Sequence, residues 1–218
     1  LKPFTFHYSQ PDEYHFSFDS IEAAWRVAQG LIEQGTPPRR VLDLCAGVGV
    51  MGFELACFLG TDFELDFVEV QAVYQTHFEE NRRRFASTRT DSKKAEEMSS
   101  RWRWMQTNYE SLRSHEVLGT YDLILCNPPY FEVQQGPTSI GDFKARCRFF
   151  IDSSSDELWN CIDRVLAPGG QAFVLVRTDD AHGTQTLLHI ERRFRYSGKV
   201  SAYAEIQGTT LIKIVKNQ

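Results

Sequence analysis

The sequence predicts an α/β fold built on a mostly parallel seven-stranded sheet whose last two strands form an antiparallel hairpin. Three observations carry this prediction. From residue 40 onward, apolar runs of strand length alternate with segments of helical periodicity, and such alternation means a parallel sheet with crossover helices. The first of these runs ends in an acidic residue followed by a glycine loop, as expected where an open sheet meets a ligand. The tail then changes character, because residues 195–206 and 209–215 alternate apolar and polar side chains around Gly208, the pattern of a hairpin added at one edge.

The elements follow in order. Asp19-Ser-Ile-Glu22 reads as an N-cap with a glutamate three residues on, opening an amphipathic helix through Ala23, Ala24, Val27, Ala28, Leu31 and Ile32. Gly35 and the Pro37-Pro38 pair stop it. Strands are expected at 41–44, 65–70, 102–107, 121–126 and 171–177, with helices at about 50–59, 72–85 and 155–166. A long loop follows the fourth strand, and Pro168-Gly169-Gly170 forms a turn before the fifth. Residues 1–38 read as an N-terminal segment with its helix and 39–218 as the main domain. The polar stretch 87–100 reads as a mobile insertion.

Composition bounds the function. A chain of 218 residues with a hydrophobic fraction of 42% is long enough for one domain with a full core. Its longest apolar stretches, at 123–126 and 172–176, fall far short of the roughly 20 residues needed to cross a bilayer. No secretion signal is expected. Five cysteines without a C-x-x-C pair fit reduced thiols in a cytoplasmic protein, and six scattered histidines predict no metal site. A net charge of -5 argues against indiscriminate nucleic-acid binding through a wholly basic surface. Residues 82–103 nevertheless carry eight Lys/Arg against three Asp/Glu, read either as a local basic face or as a solvated helix and loop.

Two motifs carry chemistry. Val41-Leu-Asp-Leu-Cys-Ala-Gly-Val-Gly49 places Asp43 at the end of a buried strand, then small residues in a tight turn, then a helix start. Glycine lets backbone approach a ligand there, and the helix N-terminus directs free N–H groups inward. The next strand ends in Glu69, which lies 26 residues beyond Asp43 and is placed to accept two hydrogen bonds from ribose hydroxyls. A dinucleotide enzyme or a purely structural turn would look similar. The second motif is Asn127-Pro128-Pro129-Tyr130, directly after the fourth strand. Two prolines fix φ and remove two N–H groups, leaving a stiff turn with carbonyls free to accept. A planar amine is a poor nucleophile because its lone pair is delocalised, so it must be oriented. The Asn127 oxygen and the Pro128 carbonyl are read as the acceptors that orient it, and Tyr130 as the ring that stacks on it.

These residues resemble two motifs of the class I S-adenosylmethionine-dependent methyltransferases. Asp43, Gly47 and Gly49 match D-x-G-x-G-x-G, with Cys45 where the first glycine is usual, and Asn127 to Tyr130 matches the amino-methyltransferase motif [DNS]-P-P-[YFW]. The resemblance spans roughly residues 41–177 and implies a Rossmann-like class I methyltransferase fold. It implies that Asp43 orients the methionine amino group, that Gly47 and Gly49 make room, and that Glu69 holds the ribose. Asn108 falls where an aspartate often contacts the adenine, although a turn or helix-cap role fits an asparagine equally well. The implied cofactor set is Phe18, Asp43, Cys45, Gly47, Gly49, Glu69, Asn108 and Asn127. The implied catalytic set is Asn127, Pro128, Pro129 and Tyr130.

Two further stretches resemble the bacterial tRNA adenine-N6 methyltransferases. Gln10-Pro-Asp-Glu-Tyr-His-Phe-Ser-Phe-Asp-Ser20 is similar to their Q-x-x-x-G-Y-R-F-S-x-D-S segment, which precedes the first helix and covers the cofactor. Phe143-Lys-Ala-Arg-Cys-Arg148 sits where they carry A-R-H-E, with Ala145 and Arg146 matching and Cys147 and Arg148 departing, so the substrate lid is expected to differ. The expected partner is RNA, tRNA first, with Lys144, Arg146 and Arg148 holding phosphates while Tyr130 and Phe131 stack the extruded base. The rival is a glutamine-N5 methyltransferase acting on a protein. Its usual E-P-x-x-A-L segment and additional recognition domain are not seen in this sequence. A non-catalytic protein that binds S-adenosylmethionine is the alternative from another class.

Overall fold

The computed structural model describes residues 7–88, 92–99, 102–112, 119–131, 142–177 and 186–218. Its centre is the predicted seven-stranded sheet, in the order β3-β2-β1-β4-β5-β7-β6. Strands β1 (Arg40–Leu44), β2 (Glu64–Glu69), β3 (Arg103–Gln106), β4 (Tyr121–Cys126) and β5 (Leu166–Val176) run parallel. The hairpin β6 (Gly198–Ile206) and β7 (Thr209–Lys216) joins antiparallel to β5. Its two-residue turn has φ of +47° at Gln207 and +83° at Gly208, the positive pair that matches strand twist in a tight hairpin.

Helices cover both faces. On one side lie α1 (Phe18–Gln34), α2 (Val50–Leu59) and α3 (Tyr74–Ser87), packed on Val41, Leu65, Phe67, Leu123 and Phe173. On the other lie α6 (Ser155–Val165) and α7 (Thr186–Phe194), packed on Leu42, Leu44, Ile124, Val174 and Ile212. The remaining helices are α4 (Ser92–Ser99) and α5 (Asp142–Arg148). Among the described residues, no helix is long and apolar enough to cross a membrane.

The elements depart from expectation in five places. Helix α1 begins at Phe18, one residue before the expected cap, with Ser17 as an N-cap that makes no side-chain bond and Asp19 buried in the first turn. Helix α4 occupies part of the expected mobile insertion; residues 89–91, 100 and 101 lie outside the described residues. Helix α5 lies within the expected loop, and α7 was not expected. The Pro168-Gly169-Gly170 turn is a bulge inside β5, since Leu166 pairs with Tyr121 and Gln171 with Leu123, so residues 167–170 loop out between the two pairings.

Four of the eight basic residues of the stretch are neutralised locally. Arg82 pairs with Glu79, Arg83 and Arg84 pair with Glu80, and Arg103 pairs with the buried Asp66. Asp66 also accepts from Tyr121 at 2.6 Å and from Arg40 at 3.3 Å, which ties β1 to β4 together at the ends opposite the glycine loop. The solvated-face reading therefore describes the paired arginines of this stretch.

Candidate active site

The carboxyl ends of β1, β2 and β4 meet at one cleft, and the glycine loop and the Asn-Pro-Pro-Tyr turn are both in its wall. Asp43 is 1% exposed and accepts the Gly52 N–H at 2.8 Å. This contact depends on a glycine in the first turn of α2, since a Cβ at Gly52 would lie 2.5 Å from the Phe67 ring and 3.1 Å from Asp43 Oδ2. The Asp43 carboxyl is pushed up to about 8, mainly by burial and further by the Glu69 charge, against the Gly52 N–H that favours the ionised form.

Glu69 pins the loop. Its Oε2 accepts from Gly47 N at 3.0 Å and its Oε1 from Gln71 N at 2.9 Å, while burial holds its pKa above the ordinary range. Each oxygen keeps a lone pair for a ligand hydroxyl. The loop residues differ in what they face. A Cβ at Gly47 would meet nothing within 4 Å, so the space over the loop is open there. Gly49 is the N-cap of α2 and does not line the cleft; a Cβ on it would strike the Phe53 ring at 2.6 Å, so this glycine serves packing. Cys45 lines the cleft with φ of +59°, a left-handed conformation that explains why glycine is usual at its place.

Asn108 caps the 3-10 turn at Tyr109–Ser111. Its oxygen accepts from Glu110 N at 3.0 Å and its Nδ2 donates to the Asp152 carbonyl at 2.7 Å, so the cap role is the one seen, at the margin of the same cleft.

The Asn127 side chain is held at both ends. Nδ2 donates to Ser20 Oγ at 2.8 Å, and Oδ1 accepts from the Tyr130 hydroxyl at 2.6 Å, leaving one lone pair on that oxygen. Burial, then the nearby Asp19 carboxylate, hold the Tyr130 hydroxyl protonated, so it remains a donor to Asn127. The N–H groups of Tyr130 and Phe131 both donate to the Arg148 carbonyl, at 3.1 and 3.0 Å, fastening the turn to α5. Among the described residues no donor reaches the Pro128 carbonyl.

Residues 7–17 strap across the other side. The Tyr8 hydroxyl donates to Glu54 at 2.6 Å, and Asn81 both accepts from Ser9 N at 2.6 Å and donates to the Val48 carbonyl of the glycine loop at 3.1 Å. Gln10, Tyr14 and Phe16 of this strap line the cleft.

The cleft thus brings together Asp43, Cys45, Gly47, Glu69, Asn108, Asn127, Pro128, Pro129, Tyr130 and Arg146. It does not include Phe18, Gly49, Phe131, Lys144 or Arg148. Phe18 opens α1, and Phe131 packs on Phe149 with ring centroids 5.7 Å apart. Lys144 and Arg148 line a second hollow with Asp12, Glu13, Tyr14 and His15, and Tyr14 is common to both. Arg146 makes an ion pair with Asp152, which reduces the positive charge it presents. Cys147, at the altered position of the lid segment, lines the cleft with its sulfur 3.1 Å from the Tyr74 hydroxyl. Sequence reasoning missed Ser20, Gly52 and Tyr74. The first lay within the quoted 10–20 segment and the second was signalled by a glycine inside a helix; nothing marked the third.

No family model matches the chain. It is 26% identical over 183 residues to a tRNA1(Val) (adenine(37)-N6)-methyltransferase of Shewanella sp. (strain W3-18-1), covering 81% of this chain and 71% of that protein. It is 31% identical over 143 residues to the Aeromonas hydrophila protein of the same description, covering 66% of this chain and 53% of that one. Among solved structures it is similar to the T. thermophilus 16S rRNA N2 G1207 methyltransferase in complex with AdoMet and guanosine, with a TM-score of 0.59, 17% identity and coverage of 94% and 45%. It is also similar to precorrin-6y C5,15-methyltransferase from Geobacter metallireducens, with a TM-score of 0.55, 9% identity and coverage of 97% and 94%. These structural likenesses establish the fold: the chain is a class I methyltransferase domain in architecture, with the C-terminal antiparallel hairpin.

Proposed function

We propose that this chain is an S-adenosylmethionine-dependent N-methyltransferase acting on the exocyclic N6 amine of an adenine in RNA, with tRNA as the substrate class. The observation that carries the reading is the shared cleft, in which a buried Asp43, a Glu69-pinned glycine loop and the Asn127 to Tyr130 turn lie side by side. The description of the Shewanella and Aeromonas relatives supports the choice of adenine N6 and of tRNA. In this reading residues 39–218 form the catalytic domain, residues 1–38 form the cofactor-covering segment and first helix, and the free thiols suit a reducing cytoplasm.

The residues present fit the cofactor. Open space above Gly47 admits a ligand against the backbone, and the two buried carboxylates suit a cationic amino group at Asp43 and a ribose at Glu69. Bound there, S-adenosylmethionine supplies an electrophilic methyl group. The protein's part is orientation and charge. The remaining lone pair of Asn127 Oδ1 and the Pro128 carbonyl accept the two N–H bonds of the amine, turning its nitrogen toward the cofactor side of the cleft. As positive charge grows on that nitrogen, the same oxygens stabilise it. Ser20 and Tyr130 keep Asn127 in place, so little reorganisation is needed at the moment of reaction. No strong base is required, since the methylated nitrogen becomes acidic and releases its proton to water.

Incubation with labelled methyl donor and, separately, unmodified tRNA transcripts, ribosomal RNA and release factor tests the reading. Label recovered as N6-methyladenosine from tRNA is the expected result. Label on a release-factor glutamine, or tight donor binding with no transfer to any of the three, would replace it with the protein-modifying or the non-catalytic alternative.

A further inference from the structure

The end of β5 carries a cation that neither motif uses. Arg177 directly follows β5, the strand beside β4, with Val174 paired to the Cys126 that precedes the turn. Its guanidinium carbon lies 5.5 Å from the centroid of the Tyr130 ring and 5.5 Å from that of Phe131, and its side chain is exposed. The two rings face different surroundings, because Tyr130 lines the cleft and Phe131 does not. Arg177 therefore stands where the lining of the cleft at Tyr130 gives way to Phe131 outside it.

The local electrostatics leave this arginine suited to an external anion. Among the described residues no carboxylate is within ion-pair distance of Arg177, whereas Arg146 is held by Asp152. The carboxylate that senses Arg177 is Asp19, which is 7% exposed, with an Oδ1 that is buried and has no hydrogen-bond partner. A guanidinium lying on aromatic faces keeps its N–H edge free for bidentate bonding to phosphate, a geometry that lysine lacks.

We infer that Arg177 is a substrate-binding residue: placed over Tyr130 and Phe131, it contacts a backbone phosphate beside the target nucleotide. This rests on the RNA reading given above. It assigns to Arg177 the phosphate contact that the Asp152 pairing weakens at Arg146.

The test uses the full chain, unmodified tRNA transcripts as the probe, and the variants Arg177→Gln and Arg177→Lys. Arg177→Gln is expected to raise KM for the transcripts about tenfold or more, as for loss of a charge-assisted hydrogen bond, with donor affinity unchanged. The slope of log binding constant against log salt should become shallower by about one. Arg177→Lys should restore that slope while leaving KM raised. A Gln variant with native KM and native salt slope, or one in which only kcat falls, would overturn the phosphate contact even if the native chain methylates RNA. A native chain that neither binds nor methylates the transcripts would instead remove the RNA reading, and this inference with it.

Discussion

Replacing Cys45 by glycine and by alanine separates backbone strain from side-chain loss. The residue has φ of +59°, and its loop neighbours Gly47 and Gly49 have +53° and +86°. For a residue with a Cβ, the left-handed region costs about 1–2 kcal/mol through crowding of the following carbonyl. Both variants lose the thiol, so that loss cancels between them, and only the alanine variant keeps the Cβ. Glycine gains about 0.5–1 kcal/mol of extra freedom in the unfolded chain, which offsets part of the relief. Cys45→Gly should therefore be more stable than Cys45→Ala by about 0.5–1 kcal/mol, the reverse of the order at an ordinary helical or extended position. In a chain of this size about 1 kcal/mol corresponds to a Tm difference of roughly 2–4 °C. Urea unfolding and thermal melts of the two variants, followed by circular dichroism, measure it. An alanine variant as stable as the glycine variant, or more so, would refute the claim that this loop carries strain at Cys45.

Two further predictions concern the carboxylates. Glu69→Ala removes the acceptors of Gly47 and Gln71, each a bond to a charged group of about 1.5–3 kcal/mol, and should raise the donor dissociation constant at least tenfold by calorimetry while leaving turnover at saturating donor within a few-fold; unchanged donor affinity would contradict the assignment. Asp43 is raised in the folded chain from 3.8 to about 8, so between those values the native state holds a proton that the unfolded state has released, and its contribution to stability is full below about pH 4 and lost as pH rises through about 8. Asp43→Asn should flatten that downward slope in urea titrations across pH 5–8, and an unaltered slope would show that Asp43 is not its source.

Much of the sheet was legible because a parallel core strand is a local pattern. The apolar runs beginning at Val41, Leu65 and Tyr121, and the hairpin about Gly208, each declare themselves within a few residues. What failed was local mimicry and distant contact. Asp19 and Glu22 imitate a capping box, yet Asp19 is buried in the first turn of a helix that Ser17 opens, and the next residue, Ser20, bonds to Asn127 of the turn. Short helices such as α5 and α7 carry too few residues for periodicity to stand out. In the site, Asp43, the glycine loop and the Asn-Pro-Pro-Tyr turn were readable as motifs. The Ser20 to Asn127 bond joins residues 107 positions apart, and the packing of Arg177 on Tyr130 and Phe131 depends on the pairing of β4 with β5. Neither arises from sequence spacing. The same limit applied to Lys144 and Arg148, which are close to Arg146 along the chain but border a different hollow once α5 forms.

The central claim is that the turn orients the amine while the loop holds the donor, and Asn127→Ala tests that division of labour most directly. Donor affinity by calorimetry should stay within about twofold of the native chain, while turnover on the RNA substrate falls about a hundredfold or more, the scale of losing one oriented group in the transition state. Turnover that survives the substitution, or donor affinity that collapses in step with it, would contradict the account.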